Sequence, residues 1–211
     1  KDQIWSGEIK NLKKNKTNII FNVNMEPIFK NNIKIGYRSI SEDITDKKRI
    51  EELSVTDKLT GLYNRLKLDE LMLIKIEAFR RYNVDFSIIL LDIDNFKSVN
   101  DTYGHDVGDY VLQTIAKTLR THIRITDIIG RWGGEEFLII CNNTNLDNSK
   151  ILAENIRKIV ENIKFDKVGT KTISLGLSEF QEDDDVKSIF KRADDALYEA
   201  KTTGKNKVCT L

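Results

Sequence analysis

The chain has 211 residues, 40% of them hydrophobic and 32% charged, enough to bury a core in one or two domains. Its 34 Lys and Arg against 33 Asp and Glu leave a net charge of +1, which argues against a surface dedicated to a nucleic-acid polymer. Two cysteines (Cys141, Cys209) form no disulfide framework, and His105 and His122 lack the cysteine pairs of a zinc site. No apolar run approaches the roughly 20 residues of a membrane span, and no secretory leader opens the chain, so a cytoplasmic protein without a membrane segment is expected.

Residues 4–40 read as a β-meander, with Ile19, Phe21, Val23 and Met25 alternating with asparagines, and Ile33, Ile35 and Tyr37 alternating with Lys34 and Gly36. Lys14-Asn15-Lys16 and Lys30-Asn31-Asn32 supply the turns. Three strands of this size enclose no core alone, so further upstream chain or another subunit is expected to cover them. From Thr45 the sequence turns charged and helix-prone, with Ile50 and Leu53 on one face. A linker helix is the first reading and a short parallel coiled coil the second.

Residues 57–65, DKLTGLYNR, are interrupted by Gly61 and lead into a helix with Leu66, Leu68, Leu71, Ile74 and Phe79 as its apolar face. FSIILLDI, residues 86–93, suits a central strand buried on both faces. It runs into Asp92, Ile93 and Asp94; a carboxylate at the tip of a buried strand is costly unless compensated, so a metal ion is a sensible partner. Residues 95–109 read as a polar, glycine-rich loop. Val111, Leu112, Ile115 and Leu119 then fall at helical spacing, with Asp109 near the start as a candidate cap.

IIGRWGGEEFLII, residues 128–140, reads as a hairpin turning at Gly133-Gly134. Glu135 and Glu136 at its tip repel each other unless a cation lies between them, and the glycines let backbone approach a ligand closely. From this segment alone, a divalent-metal and phosphate site and a solvated acidic turn are equally good readings. Ile151, Leu152, Ile156, Ile159, Val160 and Ile163 give a further amphipathic helix. Ile173, Leu175 and Leu177 alternate with Ser174 and Gly176 in a strand. A last helix uses Val186, Ile189, Phe190, Ala193, Leu197 and Ala200, starts after Asp185 and stops near Gly204. From Asp57 the order is helix, strand, helix, hairpin, helix, strand, helix: an α/β sandwich.

Two resemblances sharpen this reading. WSGEIKNLKKNKTNIIFNVNMEPIF and KIGYRSISEDITDKK resemble the C-terminal half of a PAS sensor domain, which commonly closes on a triplet like Asp43-Ile44-Thr45. Residues 57–208 resemble the GGDEF family of diguanylate cyclases through DKLTGLYNR, LLDIDNFKSVNDTYGHDVGD, RWGGEEF, SLG and ADDALYEAKTTGKNKV, in family order and spacing. The division implied is a partial PAS domain over 1–45, a linker helix over 46–56 and a GGDEF domain over 57–211. The fold implied is a palm-like α/β sandwich with a central sheet of about five strands flanked by helices, behind a partial antiparallel PAS meander.

The GGDEF resemblance implies condensation of two GTP into cyclic di-GMP with release of pyrophosphate, by a homodimer under control of its sensor. Asp92, Glu135 and the Ile93 carbonyl would ligate Mg²⁺, one or two ions per site, with Mn²⁺ as a substitute. Glu135 and Glu136 share the catalytic role, as proton acceptor or second-metal ligand, and the sequence does not separate them. Asn95, Phe96 and Lys97 lie where family backbone amides meet the β and γ phosphates, beside Gly133 and Gly134; Lys201 and Lys205 resemble the family's phosphate-binding pair. Many members have arginine at the second position, and a lysine offers a point charge in place of a fork. Asn100 and Asp109 match guanine-reading positions, with His105 a neighbour: a carboxylate accepts both N1–H and N2–H of guanine, whereas adenine would leave it unpaired. Arg124 and Asp127 match the family's RxxD inhibitory product site. Asn155 stands where a second arginine is often found, with Arg157 a substitute, so weak product inhibition is expected. A chain keeping the fold without the chemistry would be a cyclic di-GMP receptor or a GTP-binding dimerisation module, but retention of Asp92, Glu135 and Glu136 favours the enzyme.

Overall fold

The computed structural model describes residues 4–12, 18–31 and 33–210, without the side chains of 51–54. The chain divides into two compact units, Lys1–Ser54 and Val55–Leu211.

In the first unit, β1 (Trp5–Leu12), β2 (Asn18–Lys30) and β3 (Ile33–Asp43) form an antiparallel sheet in the order β1-β2-β3. Trp5 pairs with Met25 and Val23 with Ser41, and a bulge follows Ile28. Val23 and Ile44 are buried, whereas Ile33, Ile35, Tyr37 and Ile40 are each more than half exposed. Three strands leave their apolar side chains in water, as their size dictates. The chain then enters α1 (Thr45–Val55), fastened by Asp43, which accepts the Thr45 N–H at 2.9 Å, and by Thr45 Oγ1, which accepts the Ile20 N–H at 2.9 Å. Ile50 on this helix is exposed. Lys14-Asn15-Lys16, Asn32 and the Leu53 side chain lie outside the described residues.

The second unit runs α2 (Arg65–Tyr82), β4 (Phe86–Ile93), α3 (Phe96–Tyr103), α4 (His105–His122), β5 (Ile128–Gly133), β6 (Glu136–Asn142), α5 (Leu146–Glu161), β7 (Lys164–Phe165), β8 (Gly169–Thr170), β9 (Ile173–Glu179), α6 (Val186–Thr202) and β10 (Val208–Thr210). Its five-stranded sheet has the order β10-β9-β4-β6-β5. The middle strand, β4, pairs antiparallel with both β6 and β9 and is buried along its whole length. That explains its unbroken apolar run. Ile89, Leu91, Phe137, Ile139 and Leu175 face the helices α3, α4 and α5, while Ile88, Leu90, Leu138 and Ile140 face α2 and α6. Each fully buried Leu or Ile of this core contributes about 1.5–3 kcal/mol.

The structure corrects four expectations. Residues 96–103 form a helix, because Phe96 and Val99 bury three apart; Gly104, at φ +85°, breaks the chain before α4 starts. Asp109 therefore sits in the second turn of α4, where it caps nothing. On α2 the buried stripe is Leu68, Met72 and Ile76, spaced four apart, and Leu66 and Ile74 face solvent; on α5, Ile151 is also exposed. The order from Asp57 also gains the small β7-β8 hairpin and the parallel edge strand β10.

Gly176 shows how tightly the second layer is set. A Cβ there would lie 2.1 Å from the Ala193 carbonyl oxygen and 2.2 Å from the Leu197 nitrogen, both backbone of α6. Gly176→Ala is expected to destabilise the domain towards the upper end of the about 1–3 kcal/mol typical of overpacking. Urea unfolding would measure this, with Gly36→Ala, where nothing lies within 4 Å, as the neutral control.

Candidate active site

Register builds the acidic end of the sheet. Asp92, near the end of β4, lies directly opposite Glu136 on β6. Gly133 pairs with Glu136, so the hairpin turn consists of Gly134 and Glu135; Gly134 takes φ +47°, a conformation glycine adopts cheaply. Asp92 is 6% exposed, and Lys201, in the last turn of α6, places its Nζ 2.7 Å from Oδ2. Burial, followed by the nearby Glu135 and Glu136 charges, nevertheless pushes the Asp92 carboxyl up to about 6. Glu136 is also raised, by burial and then by the charges of Asp194 and Glu135. Asp92 and Glu136 both feel the Lys201 charge, and Glu136 also that of Arg65, but each lies among further acids. The excess of negative charge favours a bound cation.

The donor set suits a divalent cation completed by a ligand's own oxygens. Among the described residues no group of three acid, histidine or cysteine side chains stands ready to hold a metal by itself. Mg²⁺ is commonly held by one or two carboxylates, with substrate phosphates and water completing its shell. Asp92, Glu135 and the Ile93 carbonyl are the groups that would hold it.

Asp94 takes a different role from the metal-compensated one its position suggests. Its buried carboxylate accepts Thr172 Oγ1–H at 2.6 Å, Ser174 Oγ–H at 2.7 Å and the Asn206 N–H at 3.1 Å. Hydroxyl and amide donors compensate its burial.

Next to it, Asn95 is left-handed (φ +57°) and precedes α3, which starts with the buried Phe96 and the exposed Lys97. The start of a helix leaves N–H groups free for an anion. Lys205 donates from Nζ to Asn95 Oδ1, so the two lysines meet neighbouring groups, Lys201 at Asp92 and Lys205 at Asn95.

At the crossing of α3 and α4, Asn100 lies against Gly108: a Cβ on that glycine would be 1.9 Å from Asn100 Oδ1. This oxygen is buried without a hydrogen-bond partner and sits beside the residue preceding Asp109. A ligand N–H would satisfy it. Asp109 and His105 are exposed on the same helix.

Arg124 and Asp127 stand apart from this cluster in role. The buried Asp127 braces the turn before β5 by accepting the backbone N–H of Asn142 at 3.1 Å and of Arg124 at 3.4 Å. The exposed Arg124 lines a cavity of about 510 Å³ with Arg120, Tyr63 and Ile125. Arg157 is not free to replace an arginine at Asn155. Its guanidinium binds Glu154 and Glu161, each at 3.0 Å, and Asn206 at 2.8 Å.

Sequence reasoning missed the brace behind the hairpin. Arg131 donates from Nε to the Gly134 carbonyl at 2.8 Å and from Nη1 to Asp57 at 3.2 Å, while Thr60 donates N–H and O–H to Asp57. The Arg131 N–H also bonds the Tyr63 carbonyl at 2.8 Å. The DKLTGLYNR segment thus holds the turn that carries Glu135. Arg65 covers Trp132, which stacks on Phe190 at 4.4 Å. Lone charged residues 74 positions apart give no periodic signal, so nothing but a known fold would pair them.

The sheet gathers acids and lysines at one end of an α/β domain with helices on both faces. A family model described as diguanylate cyclase, GGDEF domain, matches residues 54–207, and the chain belongs to the GGDEF family. It is 39% identical over 173 residues to diguanylate cyclase DgcM of Escherichia coli K12, covering 80% of this chain and 42% of that relative. Diguanylate cyclase A of Treponema denticola is 37% identical over 189 residues, covering 85% and 50% of the two chains. The chain thus spans about half the length of these curated relatives. Among solved structures, the coiled coil and GGDEF domain of DgcB from Caulobacter crescentus, in complex with c-di-GMP, superposes with a TM-score of 0.75 at 28% identity, covering 79% of this chain and 90% of that one.

The raised Asp92 gives a pH test. Its folded value of about 6 lies above the ordinary 3.8, so the fold binds that proton more tightly than the unfolded chain does. The metal-free chain should therefore lose stability as pH rises from 4 through 6, by about 5 °C in melting temperature. Melting curves in EDTA would show the slope. Asp92→Asn should flatten it, and Mg²⁺ should restore stability more at pH 7.5 than at pH 5.

Proposed function

We propose that the GGDEF domain condenses two GTP into one cyclic di-GMP, releasing two pyrophosphates. The observation that carries this reading is the meeting of Asp92, Glu135, Glu136 and Lys201 at one end of the sheet, in a chain of the diguanylate cyclase family. Asn100 and Asp109 read guanine, with His105 beside it; the amides of Asn95, Phe96 and Lys97, the open Gly133-Gly134 turn, Lys201 and Lys205 hold the triphosphate. Bound Mg²⁺, at Asp92, Glu135 and the Ile93 carbonyl, supplies neutralisation of phosphoryl charge and lowers the pKa of the attacking hydroxyl.

In each half-reaction a ribose 3′-oxygen attacks an α-phosphorus, the bond to the bridging oxygen breaks and pyrophosphate leaves. Glu136 is the better proton acceptor, because burial raises its carboxyl towards the range useful to a general base, while Glu135 lies in the turn itself. One site takes one GTP, so two domains face each other and the active form is a homodimer. Strands β1–β3 are the C-terminal part of a PAS sensor and α1 its linker to the enzyme. No helix among the described residues is long and apolar enough to cross a membrane, which suits work in the cytoplasm.

The direct test is mass detection of cyclic di-GMP after incubation with GTP and Mg²⁺. Glu135→Ala should lower turnover by about 100-fold or more with an unchanged circular dichroism spectrum, and EDTA should abolish it. Product binding by a folded chain without turnover would instead mark a receptor.

Product inhibition at Arg124 and Asp127 is weak in this reading, because Asn155 supplies no guanidinium and Arg157 is engaged elsewhere. Asn155→Arg is expected to tighten cyclic di-GMP binding by about 10-fold, measured by calorimetry. Nanomolar binding by the unmodified chain would contradict it.

A further inference from the structure

The turn that follows α6 is held from two sides. Lys205 and Asn206 are consecutive left-handed residues, at φ +62° and +47°. Non-glycine residues stay there only when the surroundings over-determine them. Asn206 is bound through its side chain to α5, donating to Glu161 at 2.8 Å and accepting from Arg157 at 2.8 Å. Its backbone N–H goes to Asp94 at 3.1 Å, and the Lys205 N–H goes to the Ala200 carbonyl at 2.9 Å. Asp94 is also the chain neighbour of Asn95, whose side chain meets the Lys205 ammonium.

We propose that Asp94 is a positioning residue: it latches the 205–206 turn to the end of β4 and so holds Lys205 over the start of α3. The inference rests on the GTP reading, in which that place receives the terminal phosphates. A carboxylate suits the task because three neutral donors converge on it and it alone accepts them all. Those three bonds take up most of its acceptor sites, so Asp94 stays out of the metal shell.

A double-mutant cycle on the full chain tests this, using 2′-mant-3′-deoxy-GTP with saturating Mg²⁺ as a fluorescent probe that lacks the attacking hydroxyl. Asp94→Ala is expected to weaken probe binding by about 10-fold, and Lys205→Ala by a similar factor. The double variant should bind no more than about twofold worse than Lys205→Ala alone, since one residue acts through the other. Asp94→Asn, whose amide oxygen still accepts the Asn206 N–H, should stay within about threefold of the parent chain. Multiplying effects would overturn the proposal, as would an Asp94→Ala defect that shows only as a higher Mg²⁺ requirement. If Asp94→Ala does not fold, Asp94→Ser, whose shorter hydroxyl does not reach the Asn206 N–H, takes its place in the cycle: a double variant no worse than Lys205→Ala supports the latch, and multiplying effects overturn it. A parent chain that ignores the probe overturns the GTP reading instead. The latch is then judged by hydrogen exchange at the Asn206 amide, slow in the parent and in Asp94→Asn and fast in Asp94→Ala if it holds; fast exchange in the parent overturns it.

Discussion

The pairing of β4 with β6, in the register that sets Asp92 against Glu136, is the constraint on which the rest depends. Two acids facing each other at a buried sheet end repel, and the fold tolerates this because β4 is locked between two antiparallel neighbours and covered on both faces. Lys201 relieves part of the repulsion from α6. Its position would couple two demands in the proposed reading: with a cation held at Asp92, the Lys201 ammonium would be free for phosphate. Metal and nucleotide would therefore favour each other's binding without any larger movement.

The hairpin is rigid for reasons that lie far away in sequence. Asp57 holds Arg131, Arg131 holds the Gly134 carbonyl, and Gly130 lets the Tyr63 backbone pass so close that a Cβ there would sit 2.5 Å from the Tyr63 oxygen. Loops that carry chemistry need such support, because a small misplacement of a reacting group lowers rate steeply. The segment following α1 supplies that support directly.

Much of this was legible in the sequence where a regular period or a local chemical conflict existed. The unbroken apolar run of β4, the glycine pair of the hairpin and the three-acid start of α6 each announced their element. That Asp92 meets the acids of the hairpin came from the family resemblance, since no period or spacing in the sequence pairs β4 with β6. What failed did so for physical reasons. The polar stretch over 96–103 hid a helix because two well-spaced apolar residues, Phe96 and Val99, are enough to anchor one short helix. On α2, Leu68, Leu71 and Phe79 pack where the sequence puts them, while Leu66 and Ile74 face solvent because the helix offers more apolar residues than its packing uses. Asp94 looked like one more member of an acidic tip, and only the arrival of Thr172, Ser174 and Asn206 from distant segments shows that its charge is already answered.

The stack of Arg65, Trp132 and Phe190 behind the signature turn has an optical corollary. Trp132 is one of only two tryptophans in the chain and stands next to Gly133, and the other, Trp5, belongs to the first unit. An indole wedged between a guanidinium and a phenyl ring emits according to its immediate surroundings, so with Trp5 replaced by phenylalanine the chain would carry its own lamp at the hinge of the hairpin.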